Sequence, residues 1–368
     1  MKNRILILSA TIALLASACD DLETPIGFNG DVSKQQAVMQ SKIETDENLS
    51  VRMSYSRFFL DTSPFKIEKN ATFSLKVNGT LLSSDQGEYD DDDLCYYFDY
   101  IPQAGDAIEI TANIPGHDPV SAKTVVPTKP NITSADLSMG NFDNEYSVQQ
   151  FTCNIRLNDP ANEENYYRID FWATIDEIRT ETEITERTVP DTIFQDGTFH
   201  IGQRTVYDTT ITRDTSLYNM WPDVTCNDYL ITDGTSSMLS LIDELDGNEL
   251  FFDDNKFNGQ SHDIPFLLSL DDYYINYNYQ YYDYYGKKTI RTQHIPSTLK
   301  IYMAIYSYSR DLYLYELSVA SLENELGSIF SEPAQFHSNI EGGIGIFAAK
   351  SSTTKTFTPL AISPTTNE

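Results

Sequence analysis

Apolar side chains recur at every second position along most of this chain, a period that fits a half-buried β-strand and not a helix. In VRMSYS, Val51, Met53 and Tyr55 share one face while Arg52, Ser54 and Ser56 share the other. In FSLKVNGTLL, Phe73, Leu75 and Val77 alternate with Ser74 and Lys76, and Asn78-Gly79 follows. Asn-Gly tolerates the positive φ angles of a type I′ turn, so the segment predicts a hairpin. AIEITANIPG sets Ile108, Ile110, Ala112 and Ile114 against Glu109, Thr111 and Asn113, and VSAKTVVP closes the series. Short strands with one solvated face each predict an immunoglobulin-like β-sandwich over residues 26–128.

VPTKPNIT (126–133) reads as a linker, because its two prolines stiffen the chain and block sheet pairing. A second, larger β-rich domain is expected over 129–357. SVQQFTCNIRL, NYYRIDFWATI and TETEITERTV read as strands, whereas Asp191–Gly197 and Asp208–Thr215 read as loops or strand ends. STLKIYMAIYSYS alternates Leu299, Ile301, Met303 and Ile305 against Lys300, Tyr302, Ala304 and Tyr306. One helix follows. Ser309 is suited to cap it, Asp311 suits the positive end of its dipole, and Gly327 suits its end. Leu314, Leu317, Ser321 and Leu322 form its expected inner stripe. A last strand is expected around Gly345–Ala349, and 358–368 as a disordered tail.

The N-terminus has a different logic. Lys2 and Arg4 precede an apolar run, Ile5–Leu15, that is shorter than the ~20 residues a membrane-spanning helix needs. This is the layout of a secretory signal peptide over residues 1–18. Leu15-Ala16-Ser17-Ala18-Cys19 resembles a bacterial lipobox, which implies that Cys19 becomes the acylated first residue of the mature chain. The alternative is an ordinary signal peptide cut after Ala18. Residues 19–25 form an acidic tether. Asp20, Asp21 and Glu23 resemble the export signal of Bacteroidota lipoproteins that face outward from the outer membrane. Lipidation would make the bilayer a partner through the N-terminus.

With 25 basic and 55 acidic residues, the formal charge is −30. That excludes a nucleic-acid partner, whose binding rests on Lys and Arg neutralising phosphates. Beyond Cys19 only Cys95, Cys153 and Cys226 remain, too few for a disulfide framework.

No catalytic constellation emerges. His117, His200, His262, His294 and His337 are scattered, and no His-Glu-x-x-His pair or Gly-x-Ser-x-Gly elbow is present. Gly343-x-Gly345-x-x-Ala348 matches a dinucleotide fingerprint as a string, but β-branched SSTTKTFT follows where a helix is required. The glycines therefore read as points of close backbone approach. DDNKFNG is not an EF-hand, since Lys256 and Pro265 occupy ligand positions. EYDDDD reads as a solvated loop. No cofactor and no metal site is expected. The DTI and DTT strings at 191–193 and 208–210 resemble a Bacteroidota O-glycosylation pattern.

DDYYINYNYQYYDYYG (271–286) is the most unusual stretch. Tyrosine joins a large ring to a hydroxyl, which suits sugar stacking and protein interfaces alike. Tyr282, Tyr284 and Tyr285 are the candidate binding surface, for a glycan, a peptide or a protein. The other reading is an amphipathic strand with one face in the core.

Residues 305–351 resemble a Bacteroidota lipoprotein family, domain of unknown function 4249. The resemblance rests on Tyr313 and Tyr315, Phe330-Ser331-Glu332-Pro333, Ser338-Asn339 and Gly342-Gly343-Ile344-Gly345-Ile346-Phe347. Asp254-x-x-Phe257-x-Gly259 is similar to a second family segment, and 102–127 to a third. The resemblance implies a surface or periplasmic lipoprotein, often encoded near a TonB-dependent transporter, with no assigned activity. The sequence-level expectation is thus a non-catalytic binding or accessory module. A structural or adhesive envelope protein is the alternative, and a surface hydrolase a third.

Overall fold

The structure, a computed structural model, describes residues 35–57, 61–82, 87–143, 146, 148–161, 163–226, 228, 249–271, 279–325 and 336–361. The signal peptide, Cys19 and the acidic tether lie outside the described residues. Gln36–Tyr55 and the described residues from Phe65 onward form one unit, and Ser56–Pro64 falls outside it.

In chain order the first strands are β1 (Ala37–Glu44), β2 (Ser50–Tyr55), β3 (Thr72–Val77), β4 (Thr80–Leu81), β5 (Glu88–Asp90), β6 (Cys95–Tyr97), β7 (Ala107–Asn113) and β8 (Val120–Val125). The alternation read from the sequence is the packing pattern. Val51, Met53, Phe73, Leu75, Ile108, Ile110 and Ala112 share one buried core. Asn78 and Gly79 take φ of 51° and 75° at the β3–β4 turn, as a type I′ hairpin requires. One wall of this sandwich is the sheet β4-β3-β7-β8.

The second region holds β9 (Asn131–Asp143), β10 (Val148–Asn158), β11 (Tyr166–Gln195), β12 (Thr198–Met220), β13 (Asp223–Cys226), β14 (Glu249–Asp253), β15 (Ser261–Asp271), β16 (Tyr279–Tyr285) and β17 (Lys288–Tyr308). Helix α1 (Arg310–Glu325) and β18 (Ile344–Ala361) complete the chain. The longest sheet runs β12-β11-β17-β18-β1-β2-β6-β5, with β14 on β11 and β16 on β17. The sheet β13-β15-β10-β9 packs Phe151, Ile155, Phe266 and Leu268 against Tyr167, Ile169, Phe171 and Met303 at the base of β11 and β17. The fold is mainly β, with one α-helix among the described residues, as expected.

β18 joins the two regions. It pairs parallel with β1 and antiparallel with β17, and it places Phe347 and Ala349 in the first core. The proline linker is tied to it, since Ser351 Oγ donates to Thr128 O at 2.9 Å and Thr353 Oγ1 to Pro130 O at 2.9 Å.

Four local expectations need correction. Asp191–Gln195 and Asp208–Thr215 are strand and not loop: they belong to one continuous hairpin, β11–β12, in register from Ala173↔Met220 to Gln195↔Thr198. Its turn is Asp196-Gly197, at φ of 51° and 78°. Threonine favours strands without supplying an apolar alternation, so the period was silent there. The last strand continues from Ala349 to Ala361, into the expected tail, because Leu299↔Leu360 and Thr298↔Ala361 still pair with β17. The Ser309 hydroxyl does not cap α1, because it accepts from Ala349 N–H at 3.1 Å, while the Ser309 carbonyl accepts from Tyr313 N–H. The buried residues of α1 are Leu312 and Tyr313, with Leu314 and Leu317 only partly covered, because its first turn lies over Phe251, Tyr308 and Ile346. The side chains of Ser321 and Leu322, and all of Gly327, lie outside the described residues.

Candidate binding surface

Opposed residues in an antiparallel ladder point to the same side of the sheet. The ladders β12-β11-β17-β16 therefore sort the distal ribbon into two faces. On the first face lie Phe194↔Phe199, Thr192↔Ile201, Glu186↔Tyr207, Ile184↔Thr209 and Thr182↔Ile211. Tyr282 and Tyr284 join the same face through Arg291↔Thr182 and Thr289↔Ile184. Its apolar groups stand in the open: Phe199 is 75 % exposed, Ile201 87 % and Tyr284 74 %. The tip rings Phe194 and Phe199 pack on each other at 4.9 Å. The Arg291 guanidinium lies 5.9 Å from the Tyr282 ring centre and donates to Gln280 Oε1 at 2.9 Å.

The second face is built differently. It carries three ion pairs: Lys288 with Glu183 at 2.8 Å and Arg187 with Asp208 across strands, and Arg179 with Glu181 at 3.1 Å along β11. Nearer the body, His294 Nδ1 meets Glu177 Oε2 at 2.7 Å, both buried, and the Tyr281 ring stacks over His294. The second face thus carries the ion pairs, with exposed Ile193, Tyr281 and Tyr285 among them, and the first carries Tyr, Phe and Ile beside Glu186 and Arg291. Tyr and Arg are the residues that dominate binding interfaces.

The sequence-predicted tyrosines divide between these faces. Tyr282 and Tyr284 lie on the apolar face, while Tyr285, opposite Lys288 and Thr185, lies on the ion-paired face. The first half of the tyrosine-rich stretch, 272–278, is outside the described residues. Sequence reading missed Phe199, Ile201, Tyr207 and Ile211, which belong to the same face. Their even spacing on β12, which puts all four on one face, was the available signal.

A second concave feature is a cleft of about 480 Å³ lined by Glu109, Lys123, Tyr166, Tyr308, Arg310 and Asp311. Its polar groups serve the fold. Asp311 accepts from His337 Nε2 at 2.8 Å and from Asn339 Nδ2 at 3.3 Å, and Tyr166 donates to Glu164 at 3.0 Å. Burial raises the Tyr308 hydroxyl far above its usual range. Asn339 also clamps both backbone groups of Phe347, donating to its carbonyl at 2.7 Å and accepting from its N–H at 3.0 Å. His337-Ser338-Asn339 is therefore a clasp between α1 and β18.

The other singled-out motifs are architectural as well. A Cβ on Gly345 would lie 2.0 Å from Met39 O, and one on Gly343 2.6 Å from Ala37 O, so these glycines admit β1. β18 follows them and no helix does, which settles the dinucleotide string. In the 254–259 segment, Asp254 Oδ2 accepts from Asn165 and Asn258 at 3.3 and 2.9 Å, and Gly259 N–H donates to Asp159 Oδ2 at 2.8 Å. Burial raises the Asp254 carboxyl above its ordinary value. In the acidic loop, Asp90 Oδ1 accepts from the Asp92 and Asp93 amides. Cys153 and Cys226 are buried free thiols, pushed up by burial to about 12 and about 11, which makes them inert. Among the described residues no group of three or more His, Cys, Asp or Glu is placed to hold a metal ion.

The chain matches the family described as Domain of unknown function (DUF4249) over residues 23–356, and it belongs to that family. No curated protein matches it. Among solved structures, the membrane-inserted form of the Clostridium perfringens NetB toxin aligns over 88 % of this chain and 97 % of its own. That alignment has 5 % identity and a TM-score of 0.11, which carries no shared fold.

Proposed function

We propose that this member of the DUF4249 family is a non-catalytic binding module of the outer membrane, held by acyl chains on Cys19 and facing outward. Its partner is a TonB-dependent transporter engaged in nutrient uptake. The observation that carries the binding role is the asymmetry of the ribbon: ion pairs on one side, and Tyr282, Tyr284, Tyr207, Ile211 and Phe199 on the other. The address rests on the lipobox-like segment before Cys19 and the acids behind it. A short tether from the lipid leaves the ribbon free to reach a neighbour in the same membrane. A glycan or peptide would enter as the cargo shared by the two proteins.

Affinity purification of the tagged chain from solubilised outer membrane tests the partnership. A stoichiometric β-barrel transporter is the expected companion. Recovery of the chain alone, under detergents that preserve other envelope complexes, would refute it. Phase partition tests the anchor separately. The native chain follows the detergent phase, and Cys19→Ala moves it to the aqueous phase. A native chain that already partitions into water contradicts lipidation.

A further inference from the structure

We infer that the outer edge of β12 pairs antiparallel with the same strand of a second copy of this chain, about a two-fold axis at Thr209. Among the described residues β12 ends its sheet, with β11 on one side and no strand on the other. Such an edge is a template for another strand, and proteins that must stay apart blunt it with prolines, bulges or clustered charge. β12 has no proline, and its ladder to β11 carries no register shift. It is also neutral, with Arg204 and Arg213 balancing Asp208 and Asp214, in a chain whose formal charge is −30.

The order of its residues selects a register. A two-fold axis perpendicular to the sheet keeps each face on its own side, so each residue meets one of the same parity. With the axis at Thr209, Arg204 falls opposite Asp214 of the second copy, and the pair repeats across the axis. Tyr207 then meets Ile211, and Ile201 meets Leu217, so exposed apolar groups cover one another. Neighbouring registers lose this. An axis at Asp208 sets Asp208 against itself, one at Ile211 sets Asp208 against Asp214, and those at Tyr207 or Thr210 leave every Arg without an Asp. An axis at Val206 offers Asp208 to Arg204, but Arg187 already holds that carboxylate.

The geometry also answers the repulsion between two acidic bodies. The overlap spans the whole strand, with Thr198 opposite Met220, and the two copies of Met220 end about 70 Å apart at ~3.3 Å per residue. That is many times the ~8 Å screening length of physiological salt. The interface is a strand edge: it engages Tyr207 and Ile211 on β12 but leaves Tyr282 and Tyr284 on β16 open, and it does not rest on the proposed partnership.

A cysteine at the axis tests it in the full chain, purified in detergent. Directly opposed residues have Cα atoms about 4.5–5.5 Å apart, within the reach of a disulfide. Mild oxidation of Thr209→Cys is expected to give a covalent dimer. Thr205→Cys, about 26 Å from its counterpart, gives no covalent dimer, and neither does the parent with its native thiols. In sedimentation velocity, Arg204→Glu weakens self-association at least tenfold, and Arg204→Glu with Asp214→Arg restores it. Within one copy those two residues are about 33 Å apart, so restoration reports contact between copies. Equal cross-linking at 205 and 209, or a native chain that sediments as a monomer at every concentration, overturns the proposal.

Discussion

Gly345 shows how much one residue fixes. Its φ of +122° is closed to other residues, and a side chain would enter the carbonyl of Met39 across the only parallel ladder in the described sheets. Gly345→Ala is expected to destabilise the chain by on the order of 3 kcal/mol through strain and overpacking together. Chemical denaturation reads the change directly, and a loss under ~0.5 kcal/mol would contradict the packing described.

Glu68 makes a comparable case in the first core. Its carboxylate accepts from the Tyr55 hydroxyl at 2.5 Å and from Asn70 N–H at 2.7 Å. Burial opposes its ionisation, yet these donors outweigh burial and hold its pKa below 4.5, while burial and Glu68 push Tyr55 up to about 12. A lowered carboxyl pKa stabilises the fold fully above 4.5 and stops doing so as pH falls through the lowered value. Glu68→Gln is expected to cost about 1–3 kcal/mol at pH 7 and to make unfolding less steep below pH 4.5. Urea titrations at pH 7 and pH 3 test both parts. An unchanged slope with pH would remove Glu68 from the acid response.

At the scale of elements, alternation was legible wherever one face is buried. Val51, Ile108 and Leu299 announced their strands because their opposite faces meet water. β11 and β12 lose that signal past the body, where both sides are exposed and threonines replace the apolar half of the pattern. The turn that closes them, Asp196-Gly197, carried the same chemistry as Asn78-Gly79 but lacked flanking alternation to identify it. A bulge in β17 was equally silent: Pro296 cannot donate to the ladder, and Ser297 Oγ instead reaches Asp176 O at 2.9 Å. The tip rings contribute little to the fold, because both are mostly exposed. Phe194→Ser with Phe199→Ser should change thermal stability by no more than ~0.5 kcal/mol. A larger loss, followed by calorimetry, would mean the tip is packed against the body of its own chain.

At the scale of the molecule, the parallel pairing of β1 with β18 lies beyond any sequence period, because it joins the two ends of the described chain. The family signature reports on that closure. Asp311, His337, Asn339 and Gly345 hold helix, turn and strand against β1. Tyr282, Tyr284 and Tyr285 are exposed, and their division between two faces required the register of β16 on β17.

That division supplies the most direct test of the binding role. The tagged native chain, Tyr282→Ser with Tyr284→Ser, and Tyr285→Ser alone can be captured from solubilised outer membrane in parallel, with the co-purifying transporter quantified by mass spectrometry. The account predicts at least tenfold less transporter with the double variant and full recovery with Tyr285→Ser, which lies on the ion-paired side. Equal recovery from all three would show that the apolar face is not where the partner binds.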